Sequence, residues 1–250
     1  MKMKFDCLPC IFRQTLESAR MSVEDEEIQK DILKRFSQMI PEAIDKEISA
    51  PELAADIQAY IKKITGKNDP YQELKIKNLQ TAHEIKDLVV REIEDAEDSF
   101  LASLLMAAMG NSIDAGVSLD VDVELNIERA LKNSFRKSDY KRFREDLKNA
   151  EQLLFIADNT GEAVFDKLLL QKLSEFNLDI KYAVREVPIL NDITKKEALE
   201  LGIDEYADII SSGSRAPGVL MKYAGEEFAE TFKSADIILS KGQGNLEGLY

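Results

Sequence analysis

Leu153-Leu154-Phe155-Ile156-Ala157-Asp158-Asn159-Thr160-Gly161-Glu162 is the stretch from which the fold is read. Four apolar residues and an alanine run without a break into Asp-Asn and Gly-Glu. From Ala163 to Phe176 apolar residues then recur at helical spacing, which predicts a buried strand, a tight turn and a helix. A strand buried on both faces belongs in a parallel sheet covered by helices, and such sheets bind ligands beyond the carboxyl ends of their strands. Asp158 and Asn159 stand at that end with hard oxygen donors, which suit a divalent cation. Turn chemistry explains Asp-Asn-Thr-Gly equally well at this stage.

Further strands are expected at Ile180–Val184, Ala207–Ser211 and Ile237–Ser240, with helices between them at 163–176, 194–201 and about 218–232. Strands alternating with helices of this length give βαβ units and an α/β fold with a doubly wound, mostly parallel sheet of three-layer, Rossmann-like type. Upstream, from Cys7 to about Ala150, the periodicity is helical throughout. Pro41 is expected to end the second helix, Gly66 to close one over 51–65, and Gly110 to stop the apolar helix over 100–109. A further loop and helix are expected over 120–133. The expected organisation is a helical N-terminal cap region over 1–150 and an α/β region carrying metal and phosphate sites over 151–250.

With 33 Lys and Arg against 47 Asp and Glu, the net charge is −14, which argues against a nucleic-acid or anionic-membrane partner because the long-range field repels both. No segment has the length of a membrane span and no apolar leader precedes Cys7, so a cytoplasmic location is expected. Cys7 and Cys10 cannot complete a four-ligand zinc site alone, and nothing strand-like precedes them as a thioredoxin-type motif would require. They read as small hydrophobes at a helix start, with a disulfide or shared metal site as the alternative. His83, the single histidine, excludes a Ser-His-Asp triad and reads as a solvated helix position.

The other strand ends carry related chemistry. Asn191-Asp192 precedes the helix expected at Thr194, where either residue would also serve as a cap. Ser211-Ser212-Gly213-Ser214-Arg215 is rich in hydroxyls and NH groups and lies before an expected helix N-terminus, an arrangement suited to phosphate or carboxylate. Ser240-Lys241-Gly242-Gln243-Gly244-Asn245 sets a cation beside two glycines. Neither a Gly-x-Gly-x-x-Gly after the first strand nor a P-loop is present. Asp158, Asn159, Asp192, Arg215 and Lys241, with Asn111 and Asp114 reaching from the helical part, make an inventory for metal-assisted phosphoryl hydrolysis by activated water.

Asp6-Cys7-x-x-Cys10-x-x-x-Gln14, Gly110-Asn111-x-x-Asp114, Ala157-Asp158-Asn159-x-Gly161-Glu162, Asn191-Asp192, Gly213-x-x-x-Pro217-Gly218 and Ser240-Lys241-Gly242-Gln243-Gly244-Asn245 together resemble the damage-control phosphatases, in particular their prokaryotic branch with a cysteine pair. The resemblance implies a metal-dependent phosphatase, served by Mn, Co, Ni or Mg, acting on sugar phosphates or damaged phosphometabolites. It implies Asp158, Asn159 and Asp192 as metal ligands and Lys241 as a phosphate contact. Glu162 falls near an acidic residue on the substrate side, and Asn111 and Asp114 fall on motif positions. In that setting Asp158, Glu162 and Asp114 are the catalytic candidates, and Asn111, Ser214, Arg215 and Lys241 the substrate-binding ones. Some relatives are linked to carboxyl methyl transfer, so a methyltransferase or a non-catalytic binding protein on the same pocket is the alternative. No Gly-rich methyl-donor loop follows the first strand.

Overall fold

The computed structural model describes residues 1–116 and 138–250, and for 111–116 the backbone alone. Helices α1 (Cys7–Ser22), α2 (Glu26–Asp45) and α3 (Ala50–Thr65) pack around Ile11, Ile32, Phe36, Leu53, Ile57 and Ile61. Two of the three starts have a side-chain cap: Asp25 accepts from the backbone NH groups of Glu27 and Ile28, and Ser49 accepts from that of Glu52. Gly66, in the left-handed region, closes α3 as expected. Pro41 does not end α2, which runs on to Asp45. So close to the C-terminus the proline removes one backbone bond and leaves only a single turn to follow.

Helices α4 (Gln72–Asp95) and α5 (Ser99–Gly116) follow and pack on the α/β part through Val89, Ile93, Leu105, Met106, Val164 and Phe165. Helix α5 does not stop at Gly110 but continues to Gly116. Gly110 is there for close approach, because a Cβ at that position would lie 2.9 Å from Cγ of Glu162. The helix expected over 120–133 lies outside the described residues. His83 is exposed, as expected.

After α6 (Tyr140–Leu147) come β1 (Gln152–Ile156), α7 (Ala163–Leu173), β2 (Asp179–Val184), α8 (Lys195–Glu200), β3 (Asp208–Ser211), α9 (Glu226–Ser234), β4 (Ile237–Ser240) and α10 (Gln243–Leu249). The four strands pair in parallel in the order β3-β2-β1-β4. Side chains alternate across the sheet. Leu153, Phe155, Ile180 and Tyr182 face α5, α6, α7 and α8, while Leu154, Ile156, Ala183 and Ile210 face α9 and the segment around Val219. Both faces are therefore covered, which makes the strands near-continuous apolar runs. Chain direction across the sheet reverses between β1 and β4, and this switch point is where α/β sheets open a crevice for ligands. Among the described residues no helix is long and apolar enough to cross a membrane.

One ion cluster joins α4 to the sheet. The Lys75 side chain is 2% exposed and lies 3.1 Å from Asp69 and 3.3 Å from Glu197. Glu197 in turn accepts from the backbone NH of Thr194, completing a capping box at the start of α8. The helical part thus grips the segment that carries Asn191 and Asp192.

Candidate functional site

Strand β1 delivers Asp158 and Asn159 to the switch point, and the loop after β2 brings Asp192 against them. Asn159 and Asp192 form an antiparallel bridge, and the Ile193 NH donates to the Asp158 carbonyl at 2.9 Å. Asn191 and Asp192 do not cap α8, since Thr194 does so with Glu197. Helix-start chemistry therefore leaves Asp192 unexplained. Leu190, buried and at φ 47°, makes the bend before Asn191 in a region that a branched residue enters at a cost of about 1 kcal/mol.

Six ionisable groups meet here: Asp158, Glu162, Asp166, Asp192 and Arg185 are buried, and Lys241 is partly buried. Arg185, at the end of β2, donates from Nε to Asp192 Oδ2 at 2.7 Å and from Nη2 to Asn245 Oδ1 at 3.0 Å, and it lies 3.7 Å from Asp158 Oδ1. Its Nη1 is the buried side-chain nitrogen that lacks a partner among the described residues. Lys241, at the end of β4, lies 2.7 Å from Glu162 Oε2 and 2.6 Å from Asp166 Oδ1. Asp166 also accepts from the Tyr182 hydroxyl at 2.8 Å, and Glu162 Oε1 accepts from Asn159 Nδ2 at 2.7 Å.

Acids outnumber bases by two in this dry cluster, and the strain appears in their proton affinities. Burial, then Asp192 and Glu162, push the Asp158 carboxyl up to about 8, and burial raises Asp192 as well. Burial also lifts Asp166 to about 6. Burial works against the Lys241 ammonium, but Asp166 and Glu162 outweigh it and hold Lys241 above its ordinary range. Among the described residues no hydrogen bond reaches the Asp158 carboxylate, and no three His, Cys, Asp or Glu side chains gather as a metal cage by themselves. A cation here would rest on Asp158, Asp192 and the Asn159 carboxamide. The donor set fits a hard divalent ion, because one such charge offsets the two surplus acids and all three donors are oxygens.

The remaining sequence candidates fall elsewhere. Asn111 and Asp114 lie on α5 within residues whose side chains are outside the described ones. Ser214 was expected to meet a phosphate. It is buried, donates to the Gly218 carbonyl at 2.7 Å and accepts from the Ala216 NH, so its hydroxyl shapes its own loop. Arg215 is exposed, and no helix starts after it: the chain first makes a short turn at Met221–Tyr223 and α9 begins only at Glu226. The NH-lined anion site expected before Arg215 is therefore not formed by a helix N-terminus. Glu162 has both oxygens engaged, by Asn159 and by Lys241, which suits it to orienting those groups. Cys7 is half-buried against the α1–α3 core, whereas Cys10 is exposed; both are free thiols. Only Cys7 fits the expectation of a packed hydrophobe.

Arg185, Asp166 and Tyr182 did not emerge from the sequence, and Asn245 did so only as the last residue of the Ser240–Asn245 motif, without a role. Two signals were available: Arg185 extends the apolar run of β2 in register, and Asp166 interrupts the apolar stripe of α7 between Ala163 and Leu170. Asn245 is fully buried and ties the end of β1 to α10 by donating to the Ala157 and Lys241 carbonyls.

Gly242 sets the approach of β4 to Asp158. It sits at φ 85°, and a Cβ there would fall inside the van der Waals envelope of the Asp158 carboxylate. Gly242→Ala should therefore displace that carboxylate and weaken Mn binding by roughly tenfold or more, measured by paramagnetic resonance of free Mn. Unchanged affinity would show that the carboxylate does not hold the ion.

A parallel sheet beside a helical N-terminal part, with acids, an arginine and a lysine gathered at its switch point, makes this an α/β protein with a charged site at the carboxyl edge of its strands. The chain belongs to the damage-control phosphatase ARMT1-like domain family, whose model matches residues 3–250. A damage-control phosphatase of Pyrococcus horikoshii is 32% identical over 252 residues, covering 100% of this chain and 86% of that protein. An uncharacterized protein of Methanocaldococcus jannaschii is 34% identical over 254 residues, covering 99% and 83%. The crystal structure of a DUF89 family protein from Pyrococcus horikoshii superposes with a TM-score of 0.91 at 31% identity, covering 100% of this chain and 87% of that one. The family supports a phosphatase role.

Proposed function

We propose that this chain is a metal-dependent phosphomonoesterase acting on small phosphorylated metabolites such as sugar phosphates, with water as the attacking group. The observation that carries the reading is the surplus of two acids at the switch point, with an Asp158 carboxylate that no hydrogen bond satisfies among the described residues. Asp158, Asn159 and Asp192 would hold the divalent ion, Mn, Co, Ni or Mg. What such an ion supplies when bound is Lewis acidity toward the phosphoryl oxygens and toward a water.

The chain's own groups account for the rest. Glu162 accepts from the Asn159 NH₂ and so leaves the carboxamide oxygen as the donor that Asn159 can offer a cation. Lys241 has three N–H donors, of which Glu162 and Asp166 take two. Among the described residues the third has no acceptor and can meet a phosphoryl oxygen, and the two carboxylates keep the ammonium charged. Arg185 fixes Asp192 through Nε and holds its own charge within reach of Asp158, which limits the repulsion between those two aspartates. In a site closed to water such fixed charges stabilise developing negative charge far more than they would in solution.

The test is metal removal. Dialysis against a chelator should abolish phosphate release from sugar phosphates, and Mn or Co should restore it. Full activity in the chelated, metal-free protein would overturn the reading. A methyltransferase finds no supporting feature here, since the turn after β1 is Asp158-Asn159-Thr160-Gly161 with no Gly-rich donor loop.

A further inference from the structure

The strand order β3-β2-β1-β4 lays the loops at the carboxyl edge in a row: Arg215 follows β3, Asp192 follows β2, Asp158 and Asn159 follow β1, and Lys241 stands at the end of β4. Neighbouring strands are about 4.8 Å apart, so the axis of β3 lies about 10 Å from that of β1, on the side away from Lys241. On that side a cleft of about 930 Å³ opens between α3 and the loops after β2 and β3. None of Asp158, Asn159, Asp192 and Lys241 lines it. Its volume is that of a small-molecule site, and Ala55, Ala59, Pro188 and Ile189 give it apolar walls.

The charges of the cleft are unequally committed. Glu52 is paired with Lys222, and the Lys62 ammonium donates to the Pro188 carbonyl, tying the loop after β2 to α3. Asp56 is exposed, and desolvation followed by Glu52 raises its carboxyl. Arg215 is exposed and has no hydrogen bond or ion pair among the described residues, although the chain has a net charge of −14. A guanidinium left open in a concave site presents a fork that matches a carboxylate or a phosphate.

We propose that Arg215 and its cleft form a distal subsite for a second anionic group on the substrate, a carboxylate or a phosphate, following a strand that lies about 10 Å from the one that carries Asp158. The proposal rests on the phosphatase reading above and narrows its substrate class. Phosphate esters whose far end carries a charge are preferred over those with a neutral end, and the carbon skeleton crosses the loop that bears Asp192.

One skeleton varied at one end tests this: glucitol 6-phosphate, 6-phosphogluconate and glucitol 1,6-bisphosphate end in a hydroxymethyl, a carboxylate and a phosphate. The wild-type protein, loaded with Mn, should show a higher kcat/KM for one or both charged-end substrates than for glucitol 6-phosphate. Arg215→Gln should reduce that preference roughly 10- to 100-fold, mainly through KM, and Arg215→Lys should reduce it less. Which charged end is favoured separates the carboxylate from the phosphate. Equal loss for all three substrates would place Arg215 on the scissile phosphate, and no change in the preference would leave the cleft without a part in substrate choice; either result overturns the inference alone. Failure of the wild-type protein to hydrolyse any of the three overturns the phosphatase reading with it.

Discussion

Replacing Asp158 by Asn should lower Mn-dependent phosphate release from p-nitrophenyl phosphate by about a thousandfold or more, because it removes one of two carboxylates from the proposed cation site. The same change should make the metal-free protein more stable at alkaline pH. The Asp158 carboxyl titrates near 8 in the folded chain, far above an unfolded aspartate. A carboxyl whose folded pKa is raised contributes its full stabilisation below the unfolded value and loses it as pH climbs through the folded one. Between about pH 4 and 8 the metal-free wild type therefore loses stability on the order of several kcal/mol at this residue. Asp158→Asn has no such loss. Thermal unfolding at pH 5 and pH 8.5 with chelator present should show the variant gaining on the wild type at the higher pH. Added Mn should raise the wild-type midpoint and leave the variant's nearly unchanged. If the two proteins keep the same difference at both pH values, burial of an ionised Asp158 is not what strains this site.

The second large effect is expected at Arg185. Arg185→Met leaves Asp192 buried without its 2.7 Å partner, a loss of about 3–5 kcal/mol in folding stability for an ion pair broken on one side. Asp192→Asn alone leaves the guanidinium with only the more distant Asp158 carboxylate, at 3.7 Å, for a charge partner. The double variant should be closer to wild type in stability than the two single losses summed, since neither charge is then stranded. Urea unfolding of the four proteins closes the cycle. Strict additivity would mean that Arg185 and Asp192 are each held by other groups. In the single Arg185→Met protein, Mn should recover part of the lost stability, because the ion supplies the positive charge that Asp192 has lost.

Strands, helices and their order were legible because both periods are strong: the apolar runs of β1 and β2 and the heptad-like stripes of α1–α4 have few competing readings. Errors clustered where one residue type serves two purposes. Gly110 was expected to stop a helix but admits Glu162 to its flank, and Pro41 was expected to end α2 but sits where a proline removes little. The helix expected from Gly218 begins at Glu226, because Gly218–Gly225 forms a loop that the apolar spacing of Val219 and Leu220 imitates. At the site, Asp158, Asn159, Asp192 and Lys241 were legible because they stand at strand ends, and the structure brings them together at the switch point. Arg185 and Asp166 were not, since each is a charge embedded in an apolar pattern and acquires its meaning only from partners distant in sequence. Arg215 was expected before a helix N-terminus, and the structure places it instead in the loop after β3, a place that depends on strand order.

The junction at Lys75 also bears on how the molecule comes to be folded. Lys75 is synthesised 122 residues before Glu197, at about 5–20 residues per second a wait of roughly 6–25 s on the ribosome. Until then its ammonium has Asp69 but lacks the second carboxylate that makes full burial tolerable. The inner face of α4 can settle only after β1, β2 and the turn between them and α8 have emerged. Helix α4 is therefore made before the sheet but finished after it, and the loop holding Asp192 takes its final shape in the same closing event.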